Sequence, residues 1–109
     1  MGKADATLSA LVESYVRHFT QIIESLEEDL RKSMMFLRKE QRRVGGCNKL
    51  EVIGLAQEHI DMTRTDLVVK REILQKFQDD IKKWQQGLLS DATLEENANT
   101  YFCEMAYPA

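Results

Sequence analysis

Six aliphatic residues recur in steps of seven through the second half of the chain, and this repeat constrains the fold more than any other feature. The six residues are Ile53, Ile60, Leu67, Leu74, Ile81 and Leu88. Residues seven apart lie on nearly the same side of an α-helix, so the spacing predicts a long helix over about 49–88 with one coiled-coil-like apolar stripe. The positions three residues further along hold Ala56, Thr63, Lys70, Phe77 and Trp84. We therefore expect small or polar contacts early in this helix and aromatic contacts near its end.

A second repeat of seven runs through the first half of the chain. Its members are Val16, Ile23, Leu30, Leu37 and Val44. No proline or glycine interrupts residues 8–44, so the pattern predicts a helix over about 7–43. Paired glycines follow at positions 45 and 46, and glycine readily adopts the left-handed conformation that ends a helix. We predict a turn over 44–48.

Two helices of this length joined by a short turn are expected to fold back as an antiparallel hairpin. With the fold-back centred near residue 46, Phe19 would lie opposite residues 73 and 74. A capping-box pattern from Thr93 to Glu96 precedes a further apolar face and predicts a short helix over about 92–106. The sequence thus predicts one all-α domain over 1–109, a long antiparallel, coiled-coil-like helical hairpin with a short C-terminal helix.

A further apolar stripe at sevenfold spacing lies beside the main stripe of the second helix. It consists of Leu55, Met62 and Val69. A two-helix hairpin cannot bury both stripes, so at least one more neighbour is expected. Either the C-terminal helix covers it within a three-helix bundle, or a second copy covers it within a dimeric four-helix bundle.

The run from Met34 to Leu37 adds to the predicted partner surface. Four consecutive residues point in different directions around a helix, so they cannot all face the contact between the two long helices. Met34 or Met35 should therefore point outward, unless both lie under the third helix. Methionine is flexible and adapts to partner surfaces. The predicted partner-binding residues are Met34, Met35, Leu55, Met62 and Val69.

No pattern in the sequence indicates catalysis or metal binding. The two histidines, His18 and His59, belong to no metal-binding motif, and Cys47 and Cys103 form no CxxC pair. Neither a phosphate-binding glycine-rich loop nor a nucleophile elbow is present. We predict a protein that is not an enzyme and that has no metal and no cofactor.

The formal net charge of -3 argues against a nucleic-acid-binding protein that acts through its overall charge. A basic cluster nevertheless gathers around the predicted turn. Its anion-binding candidates are Arg38, Lys39, Arg42, Arg43 and Lys49. They could contact nucleic-acid backbone or another anionic surface, or they could simply compensate the dipole of the first helix.

These patterns together predict an interaction protein. No apolar run approaches the roughly 18 residues of a membrane span, and no signal-peptide core precedes the first helix, so we expect a soluble cytoplasmic or nuclear protein. The predicted function is a non-enzymatic protein-binding module, such as an assembly subunit, adaptor or small chaperone. Its partner would be a helix of another protein or a second copy, and the alternative is anionic-surface binding through the basic turn.

Overall fold

The structure, a computed structural model, describes residues 3–43 and 49–107, with side chains from residue 6 onward. It contains three helices, α1 (Lys3–Arg42), α2 (Lys49–Gln85) and α3 (Asp91–Ala106), and these two ranges contain no strand. The all-α prediction is therefore confirmed. The predicted turn over 44–48, including its paired glycines, lies outside the described residues. The helices form a rod of 67 × 18 × 17 Å.

Contacts between α1 and α2 show that the two helices run antiparallel. The rings of Phe19 and Phe77 lie 5.5 Å apart, whereas Asp29, further along α1, meets His59, which comes earlier in α2, at 3.0 Å. Phe19 thus meets a residue about one turn beyond its predicted partners. Helical side chains lean toward the N-terminus of their own helix, so the two rings approach each other from opposite directions along the rod.

The core is concentrated at the end of the hairpin away from the α1–α2 connection. Its most deeply buried members are Phe19 of α1, Leu67 and Phe77 of α2, and Leu94, Ala98 and Met105 of α3, while Ile60, equally buried, lies outside this cluster and nearer the connection. Ile60 and Leu67 belong to the sevenfold repeat of α2. The apolar periodicity therefore marks the surface that α2 buries against its neighbours.

The end of α2 corrects the predicted boundary. The helix ends at Gln85, and Leu88, the last member of the repeat, is 72% exposed. Gly87 adopts a positive φ of 78°, its N–H donates to the carbonyl of Trp84, and the Leu88 N–H donates to the carbonyl of Lys83. These two hydrogen bonds form a Schellman motif, in which glycine ends the helix although the apolar repeat continues.

The first residues of α3 also differ from the prediction. The Ser90 hydroxyl accepts a hydrogen bond from the backbone N–H of Thr93 at 3.2 Å, so Ser90 is the N-cap and the predicted Thr93–Glu96 pair lies inside the helix. Further along, Tyr101 Oη donates to Asp80 Oδ2 at 2.8 Å, which fixes α3 against α2. At the other end of the chain, α1 begins at Lys3, about one turn before its predicted start.

Candidate interaction surface

The third helix covers only one end of the hairpin. At about 1.5 Å per residue, its 16 residues span about 24 Å of a rod that is 67 Å long. It contacts α1 where Tyr15 Oη donates to Asn99 Oδ1 at 3.0 Å and where the His18 ring stacks on Phe102. We call this end of the hairpin the open half, the other end the turn half, and the face that carries α3 the front face.

A buried lysine of α2 holds the C-terminal end of α3. Lys70 Nζ donates to the carbonyl oxygen of Tyr107 at 2.9 Å and to Asp66 Oδ1 at 2.6 Å, and its side chain is only 5% exposed. The last carbonyls of a helix lack partners within the helix and carry partial negative charge, so a cation there is favourable. The polar seam position at residue 70 thus marks the place where α3 ends.

A hollow of about 440 Å³ opens on the front face where α3 ends. Leu26 lines it from α1, Asp66 and Lys70 line it from α2, and Tyr107 closes it at the end of α3. It is the first stretch of the front face that α3 leaves uncovered.

The front face continues beyond this hollow into a second, more apolar groove of about 480 Å³, which we call the turn-half groove. It is lined by Lys32, Ser33, Phe36, Val52, Leu55, Ala56 and His59. Ser33 follows Leu26 by seven residues and His59 precedes Asp66 by seven, so the two hollows lie on the same face of the hairpin. The α3 helix therefore fills one part of a longer groove and leaves the turn half open.

Large apolar side chains stand exposed along the turn-half groove. Phe36 of α1 is 47% exposed and Leu55 of α2 is 60% exposed. Met62, seven residues after Leu55, continues the stripe toward α3 and is 63% exposed. In the open half the same side of α2 carries Ile73, which is buried. The exposure of apolar residues on this side of α2 thus changes where the cover provided by α3 ends.

Opposite charges border the two sides of the turn-half groove. On α1, Lys32 lies four residues before Phe36 and Lys39 lies three residues after it. On α2, Glu51 and Glu58 stand in the same positions relative to Leu55. All four charged residues are exposed, and Lys32 Nζ lies 3.9 Å from the Glu28 carboxylate of its own helix. This spacing places each pair on the outer side of its helix, so the groove has a basic rim on α1 and an acidic rim on α2.

The structure brings together three of the five predicted partner-binding residues. Leu55, Met62 and Val69 form one line on α2, with Val69, 37% exposed, nearest to α3. This stripe is not covered by the C-terminal helix, because α3 packs further along the rod.

The two methionines of that set lie elsewhere. Met34 contacts Arg64 Nη2 through its sulfur at 3.8 Å, and Arg64 is nine residues, or half a turn, around α2 from Leu55. Met34 therefore lies on the face opposite the turn-half groove. Met35 is 45% exposed and receives a hydrogen bond from Arg31, and it does not line the groove.

Phe36 is a groove residue that the sequence interpretation did not single out. It belongs to the same apolar run as Met34 and Met35, so the run pointed to the right part of α1. Choosing among its members requires knowing which side of the hairpin α3 occupies, and that side depends on contacts between distant residues such as Tyr15 and Asn99.

The residues of the predicted basic cluster differ in their contacts. Lys49 is half-buried, and its Nζ donates to the carbonyls of Gln41 and Arg43 at the end of α1, which makes it a helix cap. Arg43 pairs with Glu40 at 3.7 Å. The remaining three candidates, Arg38, Lys39 and Arg42, are exposed, and none of them forms an ion pair with the residues that the structure describes.

A histidine and an aspartate pair between the two helices beside the turn-half groove. His59 Nε2 lies 3.0 Å from Asp29 Oδ2 and links the two helices across the front face, where both side chains are about half exposed. Within the described ranges, no three histidine, cysteine, aspartate or glutamate residues come together as a metal site.

Comparison with known proteins does not assign this chain to a family. No family model, curated protein or solved structure matches it. Among the described helices, none combines the length and apolar character that crossing a membrane requires.

Proposed function

We propose that this protein is a non-enzymatic protein-binding module, acting as an assembly subunit, adaptor or small chaperone, that receives a helix of a partner in its turn-half groove. The observation that carries the proposal is the exposure of Phe36 and Leu55 on the two walls of a groove whose other end already holds a helix. The packing of α3 between α1 and α2 supports a fit for helices, because both ends of the groove are formed by the same two helices.

The apolar contacts are large enough to support an interface. Covering the exposed parts of Phe36, Leu55 and Met62 would contribute on the order of 3 kcal/mol before the costs of association are subtracted. Contacts along the rims and with half-buried floor residues such as Val52 and Ala56 would add to this. A helix seated in the groove would complete the three-helix bundle along the turn half.

The proposal can be tested by selection from a displayed library of amphipathic helical peptides. Selected binders should lose at least tenfold in affinity for Leu55→Glu, because the new charge would lie inside the apolar interface. Val68→Glu is the matched control, since Val68 is 54% exposed on the same helix and does not line the groove. Both variants should keep the wild-type melting temperature. Binders that bind Leu55→Glu as tightly as wild type would contradict the proposal.

A second candidate function is anionic-surface binding through the basic end of α1. It is favoured by the exposure of Arg38, Lys39 and Arg42 at the end of the rod. Such binding should weaken steeply as salt rises and should disappear when these three residues are replaced by glutamine, whereas apolar groove binding should respond little to salt.

We expect the module to act in the cytoplasm or nucleus. The exposed free thiol of Cys103 supports a reducing compartment, where such thiols persist.

A further inference from the structure

The charges along the turn-half groove narrow the class of partner. We infer that its occupant is an amphipathic helix of another protein, about 15 residues long, with an acidic edge that meets Lys32 and Lys39 and a basic edge that meets Glu51 and Glu58. This inference rests on the proposed groove function and adds the chemistry of the partner to it.

The length expected for the partner helix follows from the length of groove that α3 leaves uncovered. On α1 the open stretch runs from the level of Leu26, beside the end of α3, to about the level of Glu40 near the end of the helix. At about 1.5 Å per residue this is roughly 21 Å, which a straight helix of about 15 residues spans. Its apolar stripe would repeat at three- and four-residue intervals and meet Phe36, Leu55 and Met62.

The charges expected on the two edges of the partner helix follow from the positions of the basic and acidic rims of the groove. A helix lying in the groove turns one flank toward α1 and the other toward α2. The α1 flank meets the exposed ammonium groups of Lys32 and Lys39, and the α2 flank meets the exposed carboxylates of Glu51 and Glu58. Opposite charges on the two flanks of the occupant therefore match both rims, whereas a helix with like charges on both flanks matches only one.

A second copy of the chain fits this surface poorly. If two hairpins paired by their front faces with their turn ends aligned, the basic rim of each would meet the acidic rim of the other, but the two α3 helices would occupy the same space. Reversing one copy separates the α3 helices and places basic rim against basic rim and acidic rim against acidic rim. Geometry and charge thus favour a partner helix over self-association.

Three synthetic helical peptides test the inference. They share one apolar stripe of 15 residues and differ only at the edges, which carry glutamate on one side and lysine on the other, glutamate on both sides, or lysine on both sides. At low salt the mixed-edge peptide should bind wild type roughly fivefold more tightly than either of the others, and this preference should shrink as salt is added.

Charge reversal supplies the decisive comparison. The double variant Lys32→Glu with Lys39→Glu makes both rims acidic and should shift the preference to the peptide with two lysine edges. The control is Lys76→Glu with Lys83→Glu, which has the same charge change and the same spacing of seven on exposed positions of the open half, and it should keep the wild-type preference.

Each alternative result has a distinct meaning. If the three peptides bind equally and Leu55→Glu abolishes the binding of all three, the edge inference is overturned and the groove function stands. If no peptide binds the wild-type protein, the groove function fails as well. It also fails if the Leu55→Glu variant binds all three peptides with wild-type affinity. If light scattering shows a dimer that Leu55→Glu dissociates, the occupant is a second copy and the partner inference is overturned.

Discussion

Lys70 shows how one side chain determines where the third helix ends. It occupies a seam position that most coiled-coil-like helices fill with an apolar residue, and it is 4% exposed. Its ammonium is satisfied by one carboxylate, from Asp66, and one carbonyl, from Tyr107. Among the described residues, no buried side-chain nitrogen or oxygen lacks a hydrogen-bond partner. The seam thus accommodates a charge because α3 supplies the second partner.

Replacing this lysine should destabilise the protein. Lys70→Met keeps much of the side-chain volume but leaves the largely buried Asp66 carboxylate and the Tyr107 carbonyl without their cation, at a cost of about 1–3 kcal/mol. Lys76→Met, at an exposed position on the same helix, should change the free energy of unfolding by less than about 0.5 kcal/mol. Urea unfolding followed by circular dichroism measures both, and equal stabilities would contradict the role given to Lys70.

A second substitution separates the loss of stability that arises at Asp66 from the loss that arises at the Tyr107 carbonyl. Adding Asp66→Leu to Lys70→Met removes the buried carboxylate, so the double variant should recover part of the lost stability. If it is less stable than Lys70→Met, contacts of Asp66 other than that with Lys70 are more important than its pairing with the lysine.

At the level of the element, the docking of α3 can be observed through one tyrosine. Burial raises the pKa of Tyr101 to about 12, and the hydrogen bond to Asp80 and the negative charges of Asp80 and Glu104 act in the same direction. The phenol favours its neutral form in the folded state. Its contribution to stability is therefore fully present below pH 10 and is lost as the pH rises toward 12.

Absorbance titration of the tyrosines should resolve this group. The chain has three tyrosines, and the titration step near pH 12 should be missing from Tyr101→Phe. Circular dichroism at each pH should confirm that the helices persist during the titration. If the step near pH 12 persists in Tyr101→Phe, Tyr101 is not the group that the contact with Asp80 perturbs.

The helices could be predicted from the sequence because the periodicity of apolar residues is a local property. Their boundaries depend on hydrogen bonds that periodicity does not record, as Gly87 shows by ending α2 while the repeat continues to Leu88. The start of α3 likewise depends on a hydrogen bond: the Ser90 hydroxyl caps the helix three residues before the predicted capping box begins.

The position of α3 along the rod could not be predicted in this way. It depends on pairings between distant residues, such as Tyr101 with Asp80 and Lys70 with the Tyr107 carbonyl. The sequence indicated that the stripe of Leu55 and Met62 needed a neighbour, and it left open whether α3 covered that stripe. The groove in the turn half exists because α3 ends beside Lys70, and the apolar repeats do not record where α3 ends.

At the scale of the whole molecule, the rod has two halves of different packing. In the open half three helices enclose Phe19, Phe77 and Leu94, which are fully buried. In the turn half two helices meet through smaller or polar seam residues such as Ser33 and Ala56, which are only half-buried. Fewer buried apolar contacts mean that the turn half opens at a lower free-energy cost.

Hydrogen exchange should reveal this difference. We expect backbone amides near Phe19 and Phe77 to exchange only through global unfolding, and amides near Ser33 and Ala56 to exchange on the order of 10–100 times faster through local opening. The mixed-edge peptide should slow exchange in the turn half and leave the open half nearly unchanged, because it would supply the third helix that this half lacks. Uniform protection along the rod without peptide would contradict the division into halves, and a slowing confined to the open half would place the peptide outside the groove.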